Sequence, residues 1–188
     1  MIRNICVYCG SSAGSDPVFE AAAKALGAEM ARRGIGLVYG GGNSGLMGTI
    51  ANTVVYNGGH VTGIIPGFLK EREVQFTRAQ EMIVTNDMHE RKMLMFERAD
   101  AFVALPGGIG TLEELIEQMT WSQLGQHRKP ILIADIGQFW KPLLVLLAHM
   151  RQAGFIREGL EIHYLVAERV SEIIPMLEQA IRPTGAVR

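Results

Sequence analysis

The chain is 188 residues long, 48% hydrophobic and 20% charged, a balance that builds one ordinary folded domain and excludes a disordered chain. Eighteen Lys and Arg stand against nineteen Asp and Glu, a net charge of −1, which excludes a general nucleic-acid binder, whose phosphate contacts need a basic surplus. The longest apolar run, 143–148, falls far short of the ~18 residues of a membrane span. The opening MIRNICVYCG has no signal-peptide layout, so a cytoplasmic protein with no membrane partner is expected.

The first predicted strand is Ile2–Tyr8. Cys6 and Cys9 sit in C-x-x-C spacing, but positions three apart on a strand face opposite sides. They read as two reduced thiols packed near a sheet, not as a redox or metal pair. A helix follows over Pro17–Arg33, with Asp16 as N-cap, Pro17 at the first helical position and Gly34 as the stop. Strand Gly36–Tyr39 leads into the glycine loop Gly40–Gly48 and a helix over Leu46–Tyr56. Strand Val61–Ile65 comes next. The charged segment Pro66–Gln80 reads as a long loop or short helix over one edge of the fold. Strand Met82–Val84 precedes a helix over Asp87–Ala99, with Asp87 and Glu90 as a capping pair. Strand Ala101–Leu105 enters a second glycine loop, Pro106–Glu114, and a helix over Leu112–Leu124. Strand Ile131–Ala134, helix Gln138–Gln152, strand Tyr164–Val166 and helix Glu172–Ile181, capped by Ser171, complete the order.

Most of these strands are continuous apolar runs, the pattern of strands buried on both faces. Their alternation with helices predicts an α/β fold. It is a Rossmann-like, doubly wound parallel sheet flanked by helices, one domain over 1–181 with 182–188 as a disordered tail. Ligands of such sheets bind beyond the carboxyl ends of the strands, which directs attention to the glycine loops.

Gly40, Gly42 and Gly45 satisfy G-x-G-x-x-G, yet a dinucleotide site also wants an acid at the end of the next strand. That strand ends at Pro66, and the first acid beyond it is Glu71. Glycine loops still let backbone N–H groups approach an anion at a helix mouth. Two such loops at one sheet edge suggest a phosphorylated small molecule. Thr111 and Glu114 also fit a capping box. Glu113 and Glu114 point ~100° apart on a helix, so only one faces the pocket. Arg91 and Lys92 lie near a helix N-terminus, where cations are unfavourable and an anionic ligand would compensate. His89-Glu90 begins like H-E-x-x-H, but position 93 is Met, and no metal site is visible.

Taken together, P-G-G-I-G-T-L-E-E (Pro106–Glu114), M-H-E-R-K (Met88–Lys92) and G-G-G-N-S-G-L-M-G (Gly40–Gly48) resemble the LOG ("lonely guy") family, many members of which carried the label lysine decarboxylase. The resemblance runs from Cys6 to about Gly154. It implies a cytokinin riboside 5′-monophosphate phosphoribohydrolase, which cleaves the N-glycosidic bond of an N6-modified adenosine monophosphate to free base and ribose 5-phosphate. Plain AMP is a variant substrate. By motif, the resemblance implies Arg91 and Glu114 as the catalytic pair. Lys92, Gly108, Ile109, Gly110, Thr111, Leu112, Glu113 and Thr120 would bind the nucleotide, with Glu73 as a further substrate contact. It also implies a homodimer with the site near the subunit boundary, and no cofactor or metal. The alternative from another class is a non-catalytic carrier, since relatives with the same glycine motif bind the phosphate of molybdenum cofactor. Arg91 with Glu114 separates the two, because a carrier has no need of that pair.

Overall fold

The computed structural model describes residues 1–70, 78–157 and 159–181. Seven parallel strands form one sheet: β1 (Asn4–Tyr8), β2 (Gly36–Tyr39), β3 (Val61–Pro66), β4 (Glu81–Thr85), β5 (Ala101–Ala104), β6 (Ile131–Ala134) and β7 (Leu165–Ala167). Their order across the sheet is β4-β3-β2-β1-β5-β6-β7, so the chain winds outward in both directions from the β1–β5 pair. The expected doubly wound parallel sheet is the observed one.

The helices are α1 (Pro17–Arg32), α2 (Gly45–Tyr56), α3 (Gly67–Lys70), α4 (Met88–Arg98), α5 (Ile109–Gln123), α6 (Lys141–Gln152) and α7 (Val170–Ile181). They cover both faces. One core layer joins Ile5, Val7, Leu37 and Tyr39 of the sheet to Leu26 of α1, Ile50 of α2 and Ile173 of α7. The opposite layer joins Cys6, Tyr8, Val38 and Phe102 to Met95 of α4, Leu115 of α5 and Leu147 of α6. Cys6 and Cys9 are both buried, free thiols, and they fall in opposite layers as strand alternation requires. Each fully buried Leu or Ile contributes about 1.5–3 kcal/mol, so the two layers carry the stability of the fold.

Local signals mark several boundaries. The Asp16 carboxylate accepts from the Val18 N–H at 2.9 Å and caps α1. Asp87 accepts from Glu90 N–H at 2.8 Å, and Glu90 reaches back to Asn86 N–H at 2.7 Å. Three expectations need correction. Helix α5 begins at Ile109, not Leu112; Gly108 is its N-cap and Thr111 already lies inside the first turn, so Thr111 and Glu114 form no capping box. Helix α7 begins at Val170, which puts Ser171 within it and not at the cap. The helix expected over 138–152 is split: a 3-10 turn spans Ile136–Gln138 and α6 starts at Lys141 with Pro142 in its first turn. The segment 66–80 supplies the end of β3 and the short α3, and its residues 71–77, Glu73 among them, lie outside the described residues. The tail 182–188 lies outside them too.

The first glycine loop serves packing at its far end. Gly45 opens α2 at φ +58°, and a Cβ there would stand 2.4 Å from Ser11 C and Ser12 N. Two residues on, the Met47 N–H donates to the Gly10 carbonyl at 3.2 Å. The start of α2 is thus pressed against the loop after β1. Gly45→Ala combines left-handed strain with a backbone clash and should cost about 3 kcal/mol. Urea unfolding checks this; a midpoint equal to wild type would show that the contact is dispensable.

Candidate active site

Strand order reverses between β1 and β5, and the loops after these strands part there. A cavity of about 260 Å³ opens at this point, lined by Gly10, Ser11, Ser12, Phe19, Gly107, Gly108 and Phe139 among others. Gly10 N–H donates to the Pro106 carbonyl at 3.1 Å and ties the two loops together. A Cβ on Gly107 would lie 2.2 Å from Thr111 Oγ1 and 2.8 Å from Gly10 N. Gly107 is therefore glycine for close packing, and Thr111 is buried beneath it.

Gly108 and Gly110 differ. Neither has a positive φ, and an added Cβ would meet no protein atom within 4 Å at either position. Neither backbone conformation nor packing requires glycine there. Both face open space at the mouth of α5, whose N-terminus has no side-chain cap. Helices α1 and α4, by contrast, are capped by Asp16 and Asp87. The first-turn amides of α5, at Ile109, Gly110 and Thr111, have no acceptor within the helix, an arrangement chemically suited to an anion. Ile109 projects outward, 83% exposed, and Leu112 is partly buried against the core.

Behind this mouth lies a charged cluster. Glu114 and Arg91 approach at 3.4 Å, with side chains 13% and 11% exposed. Arg91 Nε donates to the Ile64 carbonyl at 3.2 Å. A Cβ on Gly40 would stand 2.3 Å from Arg91 Nη2, so the guanidinium lies across the glycine that follows β2. Burial pushes the Glu114 carboxyl above its ordinary range; Arg91 opposes this, and Glu113 reinforces it. The neighbouring carboxylates have separate tasks, as the helical angle requires. Glu114 faces Arg91, whereas Glu113 is half exposed and pairs with Lys92. Glu117 joins them at 3.3 Å from Lys92 Nζ. Burial alone would lower the Lys92 ammonium, but Glu113 and Glu117 outweigh it and hold its pKa above the ordinary value. The cations near the start of α4 are thus compensated by carboxylates of α5.

The structure therefore brings together Arg91, Lys92, Gly108, Ile109, Gly110, Thr111, Leu112, Glu113 and Glu114. It does not bring Thr120 to them. Thr120 is exposed and its hydroxyl donates to the Ile116 carbonyl at 2.8 Å. Six residues of helix separate it from Glu114, about 9 Å of rise. Glu117 was missed from sequence. Its signal was its place three and four residues beyond Glu114 and Glu113, on the same side of α5 as Lys92. Among the described residues, no group of three or more His, Cys, Asp or Glu could hold a metal ion.

The family model described as "Possible lysine decarboxylase" matches residues 47–177. The Arabidopsis thaliana "Cytokinin riboside 5'-monophosphate phosphoribohydrolase LOG7" is 44% identical over 94% of this chain and 82% of its own length. The chain belongs to the LOG family. The Oryza sativa protein "Cytokinin riboside 5'-monophosphate phosphoribohydrolase LOG" is 45% identical over 95% of this chain and 74% of its own length. Among solved structures, the molybdenum cofactor binding protein of Rippkaea orientalis superposes with a TM-score of 0.71 at 21% identity, covering 96% of this chain and 98% of that one. The molybdenum cofactor carrier protein of Chlamydomonas reinhardtii gives 0.69 at 20% identity, covering 97% and 100%. These two likenesses show a shared fold.

The raised Glu114 pKa has a sign that stability measurements can read. The folded chain holds this proton to higher pH than the unfolded chain does. Its stabilising share is present in full below the unfolded value near 4.5 and is lost as pH rises through the raised folded value. Glu114→Gln should therefore gain stability relative to wild type between pH 4 and pH 8. Urea midpoints across that range check this; a difference that is flat, or that narrows as pH rises, would contradict a carboxylate disfavoured by burial.

Proposed function

We propose that this LOG-family protein hydrolyses the N-glycosidic bond of a nucleoside 5′-monophosphate, an N6-modified adenosine monophosphate or AMP itself, to free base and ribose 5-phosphate. The observation that carries this reading is the buried Arg91–Glu114 pair set behind an uncapped, glycine-lined helix mouth. The curated relatives named above are phosphoribohydrolases of cytokinin riboside monophosphate by their own names.

The chemistry follows from the placement. The substrate phosphate is held by the first-turn amides of α5, and the bare Cα atoms of Gly108 and Gly110 allow its close approach. Fixing the phosphate converts remote binding energy into positioning of the sugar. Cleavage of the ribosyl–purine bond builds positive charge on the ribose, as in other glycosyl hydrolyses. The Glu114 carboxylate stabilises that charge and orients water toward the anomeric carbon. Water adds its hydroxyl to that carbon, and the base leaves with the bonding pair and gains a proton. Arg91 opposes the effect of burial and so favours the ionised form of Glu114, the form this task needs.

The older description of the family as a lysine decarboxylase fits the residues poorly. A pyridoxal enzyme needs a lysine amine free to form a Schiff base. The lysine of this site, Lys92, is gripped by Glu113 and Glu117 and held protonated. Lys129 donates to the Phe96 carbonyl at 2.6 Å, near the opposite ends of the strands. A carrier of a phosphorylated cofactor would use the same glycine mouth, but it gives no role to a desolvated carboxylate behind it.

The same reading takes the protein as a cytoplasmic homodimer with its site near the subunit boundary. The free thiols suit a reducing compartment. Thr120, two turns along α5 from Glu114, suits a contact with the nucleotide of a second copy. Exposed Leu124 at the end of α5 extends that face. Glu73 is retained as a substrate contact on motif alone.

Purified protein incubated with AMP and with isopentenyladenosine monophosphate, followed by chromatography, should release free base. Glu114→Gln should lower kcat at least about 100-fold, and Arg91→Ala should lower it severely. Turnover near wild type in Glu114→Gln would remove the carboxylate from the mechanism. Release of base from neither nucleotide would leave the carrier as the better reading. Gly110→Ala should unfold like wild type but raise KM about tenfold, the loss of one charge-assisted hydrogen bond; an unchanged KM would place the phosphate elsewhere.

A further inference from the structure

A second cavity, of about 850 Å³, lies where β6 and β7 begin, at the opposite edge of the sheet from the glycine mouth. Its lining includes Arg128, Arg151 and His163 with Tyr164, Ile131 and Ile162, and among the described residues no Asp or Glu lines it. In a chain of net charge −1, a cavity whose described lining carries basic side chains and no acid is not compositional background. Its volume lies within the ~300–1,000 Å³ of small-molecule sites, which pair apolar walls with a few convergent polar groups.

The segment that presents Arg128 is anchored on both sides. His127 is buried; its Nδ1 accepts from the Lys129 N–H at 3.1 Å, and its Nε2 meets the Gln118 carbonyl at 3.2 Å. Lys129 Nζ donates to the Phe96 carbonyl at 2.6 Å and stands 3.9 Å over the Phe96 ring. These two basic side chains are committed to structure. Arg128, held between them, is exposed. Arg151 reaches the cavity from the last turn of α6. Neither arginine forms an ion pair among the described residues. Among the described residues an acid stands near: Glu161 feels Arg151 and His163, but its carboxylate accepts from the Gly159 N–H at 3.1 Å. Two arginines and a histidine therefore border one space together with a tyrosine and aliphatic walls. Guanidinium forks match phosphate geometry, and an aromatic face accepts a planar base.

We infer that this cavity is a second binding site, separate from the glycine mouth, for a phosphorylated nucleotide whose phosphate is held by Arg128 and Arg151 and whose base packs on Tyr164. The site is independent of the reaction proposed for the glycine mouth. It would let a nucleotide pool be sensed at one end of the sheet while chemistry proceeds at the other.

The test is calorimetric titration of the full chain with ATP and, separately, with inorganic pyrophosphate. The proteins compared are wild type, Arg128→Ala/Arg151→Ala, Tyr164→Ala and Gly110→Ala. ATP should bind wild type and Gly110→Ala alike, and bind the double arginine variant at least tenfold more weakly. Tyr164→Ala should weaken ATP but not pyrophosphate. Release of base from AMP by the double variant, with no other nucleotide present, should equal wild type, which also certifies its fold. Absence of ATP binding to wild type, equal binding by the double variant, or loss of binding in Gly110→Ala would each overturn the assignment. Equal loss of ATP and pyrophosphate in the arginine variant with no effect at Tyr164 would overturn the nucleotide class and leave a site for free phosphates.

Discussion

The Arg91 guanidinium is where the three sequence motifs meet. It rises from α4, lies across Gly40 just after β2, donates to the Ile64 carbonyl of β3 and faces Glu114 on α5. A buried guanidinium without partners would be costly, because its charge has left water. Here a carbonyl and a carboxylate offset that cost, and they come from different elements. Each motif is needed for the others to be tolerated. Without the bare Cα of Gly40 the side chain could not lie flat. Without Arg91 the Glu114 carboxyl would be desolvated with only Lys92 in opposition.

The two glycine loops look alike as strings and do different work. The loop after β2 uses Gly45 and Gly48 to bring main chain against main chain: a Cβ on Gly48 would stand 2.1 Å from the Asn43 carbonyl oxygen. The loop after β5 uses Gly107 in the same way, but Gly108 and Gly110 border empty space. The distinction is between glycine demanded by the protein's own atoms and glycine that the protein's atoms do not explain. Only the second kind points to a ligand.

Much of the architecture could be read before any coordinates. Continuous apolar runs such as Ile131–Ala134 mark strands buried on both faces, and Asp16-Pro17 marks a helix start by stereochemistry alone. The start of α5 was hidden, because Gly108, Ile109 and Gly110 are weak helix formers while Thr111 and Glu114 mimic a cap. Tertiary packing overrode that local signal: Thr111 is buried under Gly107. The pairing of Arg91 with Glu114 came from motif likeness; helical geometry alone said only that one of Glu113 and Glu114 turns inward. Glu117 went unseen because its partner, Lys92, lies on another helix, and no local spacing links 92 to 117. Thr120 entered by motif, and helical rise sets it two turns from Glu114 within one chain, a separation that no local sequence signal announces.

The two cysteines bear on how the molecule meets oxidants. They occupy opposite layers of the sheet, both are buried, and desolvation raises both thiols well above their ordinary pKa, with the negative charge of Glu114 adding to the effect. A thiol that stays protonated and out of reach is a poor nucleophile toward peroxide or alkylating reagents. Lying across the thickness of the sheet from one another, the two sulfurs have no route to a mutual bridge. Burial in separate layers thus makes each of these thiols a poor handle for sulfur-based chemistry on the folded chain.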